Sequence, residues 1–330
     1  WQKSQMEKPL QTHHHHHPIR AETEEGLLHI HPHNLFSSQQ LQIRRTHEAQ
    51  DANESEARAL VALLKTCADK KDLNKGRIVH SEISQKGILQ HNVYLGSALV
   101  SLYAKCGDLR KAREVFDELP RRNVVTWNAL ISGYAQHGYG KNALVCFECM
   151  KHEGISPQPI SFVCALKACA SIRACDKGRT IHLEIIERDF LGGNVLVSTT
   201  LVDMYAKCGE LTQAQDIFSG FLVRDVTCWN TIMTGNSQYG QDEEALHHFG
   251  SLQHESILPN MVTYFCILKS CGNLGEVEKG KMIHARLHKE NLFDKEILLQ
   301  NELIHMYAKC GALLRARKVL EEVKIRDIVS

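Results

Sequence analysis

The chain is predicted to be all-α: an α-solenoid of stacked helix-turn-helix hairpins winding as a right-handed superhelix. Three observations predict it. Several short motifs recur at one constant spacing of 102 residues. Apolar residues fall at three- and four-residue intervals in pairs of consecutive stretches. The 330 residues include only seven prolines, and no stretch alternates polar with apolar in the manner of a half-buried strand.

The composition, 43% hydrophobic and 23% charged, is that of a folded protein and excludes disorder along the whole chain. Apolar runs are short and interrupted by charge, so no membrane-spanning helix and no membrane partner are expected. A net charge of +1 exerts no global pull on nucleic acid, yet the charge is unevenly spread. Residues 1–56 hold five basic and eight acidic residues, against 34 and 30 in the remainder. This leading segment contains the run His13 to His17, lacks periodicity and reads as a disordered, His-rich arm. A histidine run binds divalent metal loosely, but a solvated tail is the plainer reading. Glu22, Glu24 and Glu25 do not suit an acid-poor presequence, and the chain opens at Trp1 rather than at a methionine.

The repeat rests on four independent motifs. Leu/Met-Tyr-Ala-Lys-Cys-Gly occurs at 102–107, 204–209 and 306–311. Leu-Lys-x-Cys carries Lys65, Lys167 and Lys269; Gly-x-x-[Ile/Val]-His ends at His80, His182 and His284; Trp-Asn stands at Trp127–Asn128 and Trp229–Asn230. A unit of 102 residues is too long for one hairpin and divides into blocks of 36, 31 and 35 residues. In one block Trp127, Leu130, Ile131 and Tyr134 mark a first helix, and Ala143, Leu144, Phe147 and Met150 a second. Gly138 and Gly140 are expected to break between them, and Gly154 with Pro157 to end the block. One such hairpin has too little apolar surface to fold alone; stacking buries the shared faces and leaves a long concave surface.

The strings Asn123 to Tyr134 (Asn-Val-Val-Thr-Trp-Asn-Ala-Leu-Ile-Ser-Gly-Tyr), the Tyr-Ala-Lys-Cys-Gly boxes and Phe162 to Cys169 resemble pentatricopeptide repeats. The blocks look like the plant arrangement of long, short and standard repeats in triplets. On that register the array over 57–330 runs 57–92 (long), 93–123 (short), 124–158 (standard), 159–194 (long), 195–225 (short), 226–260 (standard), 261–296 (long) and 297–327 (short). The chain stops three residues into a ninth block, as a piece of something longer would.

No catalytic machinery is expected. Eight of the twelve cysteines lie on the 102-residue period, which points to small apolar packing rather than to metal or redox work. Cys146 and Cys149 form a Cys-x-x-Cys within a helical pattern and lack a second ligand pair. His-x-Glu occurs at His80/Glu82, His182/Glu184 and His288/Glu290, without the Pro-Cys-x-x-Cys that zinc deaminases require. Phosphate-binding and nucleophile-elbow motifs are missing as well, so neither a cofactor nor a metal site is expected.

The resemblance implies binding of single-stranded organellar RNA, one base per repeat. It assigns the choice of base to the fifth and last residues of each block: Ser97/Asn123, Asn128/Gln158, Thr199/Asp225, Asn230/Asn260 and Asn301/Asp327. A simpler reading makes these residues helix caps. An ionised Asp only accepts hydrogen bonds and suits G and U; Asn also donates and suits A and C; Ser or Thr leaves room for a purine. In agreement with the family's pairing rule, the chain reads x-A-Y-x-G-Y-x-U from 5′ to 3′. The long blocks offer Val61, Val163 and Phe265 at the fifth position and act as spacers.

The second residues Tyr94, Val125, Leu196 and Leu298 would flank the bases, with Thr227 breaking the apolar row. Lys105, Lys207 and Lys309, and in the long blocks Lys65, Lys167 and Lys269, either track phosphates or form a solvated face. The resemblance further implies a mitochondrial or chloroplast specificity factor for cytidine-to-uridine editing, the chemistry residing in a further C-terminal part or in a deaminase or editing factor in trans. A helical scaffold that binds proteins or peptides is the alternative reading.

Overall fold

The computed structural model describes residues 54–329, apart from 192, 193 and 222. The leading arm therefore lies outside the described residues except for positions 54–56. Those three are helical and begin the first helix, slightly ahead of the expected start of the array.

The described residues form sixteen α-helices, one short 3-10 helix (Ile88–His91) and no strand. The first helices of the hairpins are α1 (54–69), α3 (Val93–Cys106), α5 (Val124–Gln136), α7 (Pro159–Ile172), α9 (Val195–Cys208), α11 (Val226–Gln238), α13 (Met261–Leu274) and α15 (Ile297–Lys309). The second helices are α2 (Leu73–Gln85), α4 (Leu109–Glu118), α6 (Gly140–His152), α8 (Cys175–Glu187), α10 (Leu211–Ser219), α12 (Asp242–His254), α14 (Val277–Lys289) and α16 (Leu313–Val329). From α3 to α15 each first helix packs closely on the next first helix, whereas second helices stand further apart and meet through long side chains, as His248 Nε2 meets Gln215 Oε1 at 3.0 Å and Lys177 meets Glu148 at 2.6 Å. The second helices are thus spread over the wider side of the stack, and the first helices line its inner side.

Local chemistry sets the helix ends. The Cys-Gly of the Tyr-Ala-Lys-Cys-Gly box closes α3 and α9 with Gly107 and Gly209 left-handed, at φ 88° and 87°, a conformation that costs glycine little. Gly138 (φ 81°) ends the first hairpin helix of its block as expected. Gly140 does not break the chain: it is the buried first residue of α6, where a Cβ would stand 2.6 Å from Ile172 and 2.7 Å from the Ser171 hydroxyl. Close helix approach, rather than a turn, requires that glycine. Gly133 serves similarly against α3, since a Cβ there would lie 2.5 Å from the Ala104 methyl.

The repeated large residues are the joints between blocks. Trp127 sits edge-on to Phe116 of the preceding block at 4.6 Å, and Trp229 repeats the contact with Phe218 at 4.8 Å. Arg122 and Arg224 lie over those phenylalanines and pair with Glu153 and Glu255, each at 2.9 Å. Burial of one such ring contributes about 1.5–3 kcal/mol, which only stacked neighbours can supply. The histidine of each Gly-x-x-[Ile/Val]-His motif meets the tyrosine of the following box: His80 Nδ1 to Tyr103 Oη at 2.8 Å, His182 to Tyr205 at 3.0 Å, His284 to Tyr307 at 3.1 Å. All twelve cysteines are free thiols. Burial pushes Cys146 up to about 11 and Cys169 and Cys271 up to about 12, so they remain protonated packing groups.

Candidate nucleic-acid interface

The last residue of a block is the N-cap of the next block's first helix, and the fifth residue lies one turn inside its own first helix. Stacking brings the two together across about thirty residues of chain. Ser97 Oγ is 3.5 Å from Asn123 Oδ1, and Asn230 Nδ2 donates to Asn260 Oδ1 at 3.0 Å. In three of the couples a third residue, three positions after the cap, joins the pair. Thr126 Oγ1 lies 2.8 Å from Ser97 Oγ and donates to Asn123 Oδ1 at 2.9 Å. Thr263 Oγ1 donates to Asn230 Oδ1 at 2.7 Å and accepts from Asn260 N at 3.1 Å. In the Thr199/Asp225 couple the joint is Cys228: its Sγ is 2.9 Å from Thr199 Oγ1, and its backbone N donates to Asp225 Oδ1 at 2.8 Å.

These caps fix what the couples present. A capping Asn must aim Oδ1 at the helix N–H groups, as Asn123 does toward Thr126 N and Asn260 toward Thr263 N. Its Nδ2 is then the donor that capping does not use. Asp225 has an acceptor in both places. Its partial burial alone would raise the carboxyl pKa, but hydrogen bonds from Cys228 and Thr227 outweigh it and hold it below the ordinary carboxylate range. It is ionised at neutral pH.

The five couples differ in completeness. Ser97 and Asn230 are buried beneath exposed or half-buried caps. Asn128 is buried too, but its Oδ1 has no protein hydrogen-bond partner among the described residues. Ser161, which stands where Thr263 stands one unit on, accepts from Gln158 N and leaves Asn128 without a joint. Asn301 is exposed on α15. α16 continues through Asp327, whose side chain lies outside the described residues, and the Asn301/Asp327 couple with it.

An apolar row flanks the couples. Tyr94, Val125, Leu196 and Leu298 are between 53% and 73% exposed. Ile160 and Val262, second residues of two long blocks that sequence reasoning passed over, are each 46% exposed and extend the row. Their signal was the block register itself. A recess of about 340 Å³ collects these parts in one place, with Asn230 and Asn260 at its wall, Thr227 and Val262 beside them, and Lys207 at its edge.

The lysines fall into two sets. Lys105 pairs with Asp69 on the preceding first helix and Lys207 with Asp203, each at 2.8 Å, while Lys309 Nζ donates to Asn273 Oδ1 at 2.7 Å. Lys65, Lys167 and Lys269 carry no ion pair within 4 Å among the described residues. The long blocks therefore hold the less engaged cations. The Cys-x-x-Cys splits between buried Cys146 and exposed Cys149. In His288-x-Glu290 the glutamate turns away, accepting from Tyr264 Oη at 2.9 Å and Arg286 Nε at 2.7 Å.

Fold and inner edge together define a helical-hairpin repeat protein with polar couples at fixed block positions. Models described as PPR repeat match residues 97–124, 197–226 and 301–328, ending 102 residues apart. The PPR repeat family matches 122–171 and the pentatricopeptide repeat domain 222–274. Together these matches span just over half of the chain, which belongs to the pentatricopeptide repeat family. A chloroplast pentatricopeptide repeat-containing protein of Arabidopsis thaliana is 35% identical over 269 residues, 82% of this chain and 43% of the relative. A putative mitochondrial one from the same plant is 37% identical over 270 residues, 82% and 42%. This chain thus spans less than half the length of either. Among solved structures, PPR10 from maize superposes with a TM-score of 0.63 at 20% identity, over 77% of this chain and 36% of that one. PPR10 in complex with an 18-nt psaJ RNA element gives 0.64 at 19% identity, over 77% and 38%.

Proposed function

We propose that this array binds single-stranded RNA and reads one base per short or standard block through its cap-and-fifth-residue couples. The observation that carries this reading is the recess lined by the joined Asn230 and Asn260 together with Thr227, Val262 and the Lys207–Asp203 ion pair. It combines a polar couple, flanking groups for a base face and a lysine that a phosphate could draw from Asp203. That set suits a nucleotide better than a peptide, whose side chains offer no common planar face. Known relatives named chloroplastic or mitochondrial, and a structural neighbour solved with RNA, support the same reading and favour an organelle as the place of action.

We further propose that the blocks are long–short–standard triplets and that the whole protein is a specificity factor for cytidine-to-uridine editing, with the deamination performed outside the repeats. Five read bases define a site that recurs about once per thousand nucleotides, so more repeats would be needed for one transcript to be singled out. The test is binding of the chain to a single-stranded probe carrying x-A-Y-x-G-Y-x-U and to the same probe with G changed to A. Tighter binding to the first is expected. Equal binding to both, or to neither, removes the readout, and equal capture of unrelated peptides would favour the scaffold reading.

A further inference from the structure

The third 102-residue unit departs from the other two at one place on the outer layer. In every unit a motif histidine engages a tyrosine through Nδ1, which leaves Nε2 directed away from that bond. One turn further along the second helix the units carry Ser84, Ile186 and His288. His288 Nε2 lies 3.1 Å from His284 Nε2. On the following second helix, α16, Glu322 brings a carboxylate oxygen so that all three ligand atoms lie within 4.8 Å of one another. The first unit has Glu118 at that position but no second histidine, and the second unit has Gly220 and Ile186. The three groups therefore coincide in one unit only.

We propose that His284, His288 and Glu322 form a binding site for a borderline divalent transition metal, zinc being the expected ion. Two imidazoles and a carboxylate are a donor set that zinc takes, with water in the fourth position. Bonds of about 2.0–2.1 Å place tetrahedral ligand atoms about 3.3 Å apart, and the two Nε2 atoms already stand at 3.1 Å. Glu322 has to approach by roughly an ångström, within reach of a side-chain rotation. Tyr307 is the outer partner: its oxygen can accept from His284 Nδ1–H, which leaves the Nε2 lone pair for the ion. Phe293 lies tilted against His288 with ring centroids 4.4 Å apart and limits the ring's swing. Arg315 and Lys318 on α16 act on His284 and oppose a cation, so the Glu322 charge is essential to the site. A bound ion would tie α14 to α16, second helices whose backbones do not approach closely. It would brace the joint between the long block 261–296 and the short block 297–327. This proposal stands on the outer layer and does not depend on the RNA reading.

The experiment is titration of the full chain with Zn²⁺ alone by calorimetry, alongside His288→Ser and Glu322→Gln, with circular dichroism to show that each variant is folded. Serine already occupies the matching place of the first unit as exposed Ser84, so His288→Ser is compatible with the hairpin. The run His13 to His17 also offers imidazoles, so the result is read as a difference between chains that share it. The wild-type chain is expected to bind one more Zn²⁺ than His288→Ser, and its melting temperature to rise with Zn²⁺ where that of the variant does not. Glu322→Gln is expected to bind the ion at least roughly tenfold more weakly, as losing a ligand costs no less than losing an outer partner. Equal stoichiometry and affinity in wild type and His288→Ser would overturn the site, the histidines then sharing only a hydrogen bond. Full affinity in Glu322→Gln would overturn the three-ligand assignment.

Discussion

Asn230 and Asn260, thirty residues apart in the chain, are joined by a 3.0 Å hydrogen bond from Nδ2 of the first to Oδ1 of the second. Thr263 braces both. The cap and the couple proposed to read a base are therefore one arrangement. Capping the helix spends the Asn260 Oδ1 and leaves its Nδ2 out of the capping bonds.

Asp225→Asn tests the consequence most directly. The cap survives because Asn also accepts from Cys228 N, but the outward acceptor becomes a donor. Preference at that position is expected to move from G toward A, within the roughly 1–3 kcal/mol that a good base contact discriminates. Paired titrations with G and A probes measure it, and an unchanged ratio would refute the assignment of Asp225.

The unpartnered Asn128 Oδ1 is a defect that its sister block does not share. Gln158→Asn together with Ser161→Thr rebuilds the Asn230, Asn260 and Thr263 arrangement there. Satisfying a buried acceptor is worth about 1–3 kcal/mol. The double variant should melt higher and discriminate pyrimidine from purine more sharply at that block, both readable by thermal unfolding and probe binding.

Tyr94 is the one aromatic in the flanking row and is 73% exposed, so its removal costs the fold little. Tyr94→Ala should weaken RNA binding by roughly 1–3 kcal/mol through lost stacking, with the melting temperature unchanged. Leu196→Ala should weaken it less. Equal losses would show that the flank acts by bulk alone.

His80 and His182 are half-buried and His248 is buried, and burial is the main cause that holds each below the ordinary value near 6.5. The folded state binds these protons less readily than the unfolded chain does. Their contribution to stability is complete above about pH 6.5 and falls away as the pH drops toward the lowered folded-state values. Thermal melting at pH 7.5 and 5.5 should show the lower midpoint at 5.5, and His182→Gln should narrow the gap. A midpoint that did not fall on acidification would contradict the burial argument.

The long-range repeat was legible because the Tyr-Ala-Lys-Cys-Gly boxes and Trp-Asn pairs each recur for a reason of contact: Gly107 ends a helix, Trp127 meets Phe116, Tyr103 meets His80. Contacts of that kind demand the same residue wherever the hairpin recurs, and such demands are visible as spacing. Gly140 was misread because a glycine needed for close approach and a glycine needed for a turn look alike in one dimension. The joints Thr126, Cys228 and Thr263 went unnoticed because a small polar residue three places past a cap is what any helix start carries.

By itself the chain of residues determined the hairpin, its period and the polar residues that cap its helices, all consequences of local periodicity and capping. Tertiary structure alone decided which couples are complete, which lysines are already engaged and which histidine finds a second histidine and a carboxylate. Those outcomes depend on distances of a few ångströms between residues thirty or more apart, set by how one hairpin seats on the next.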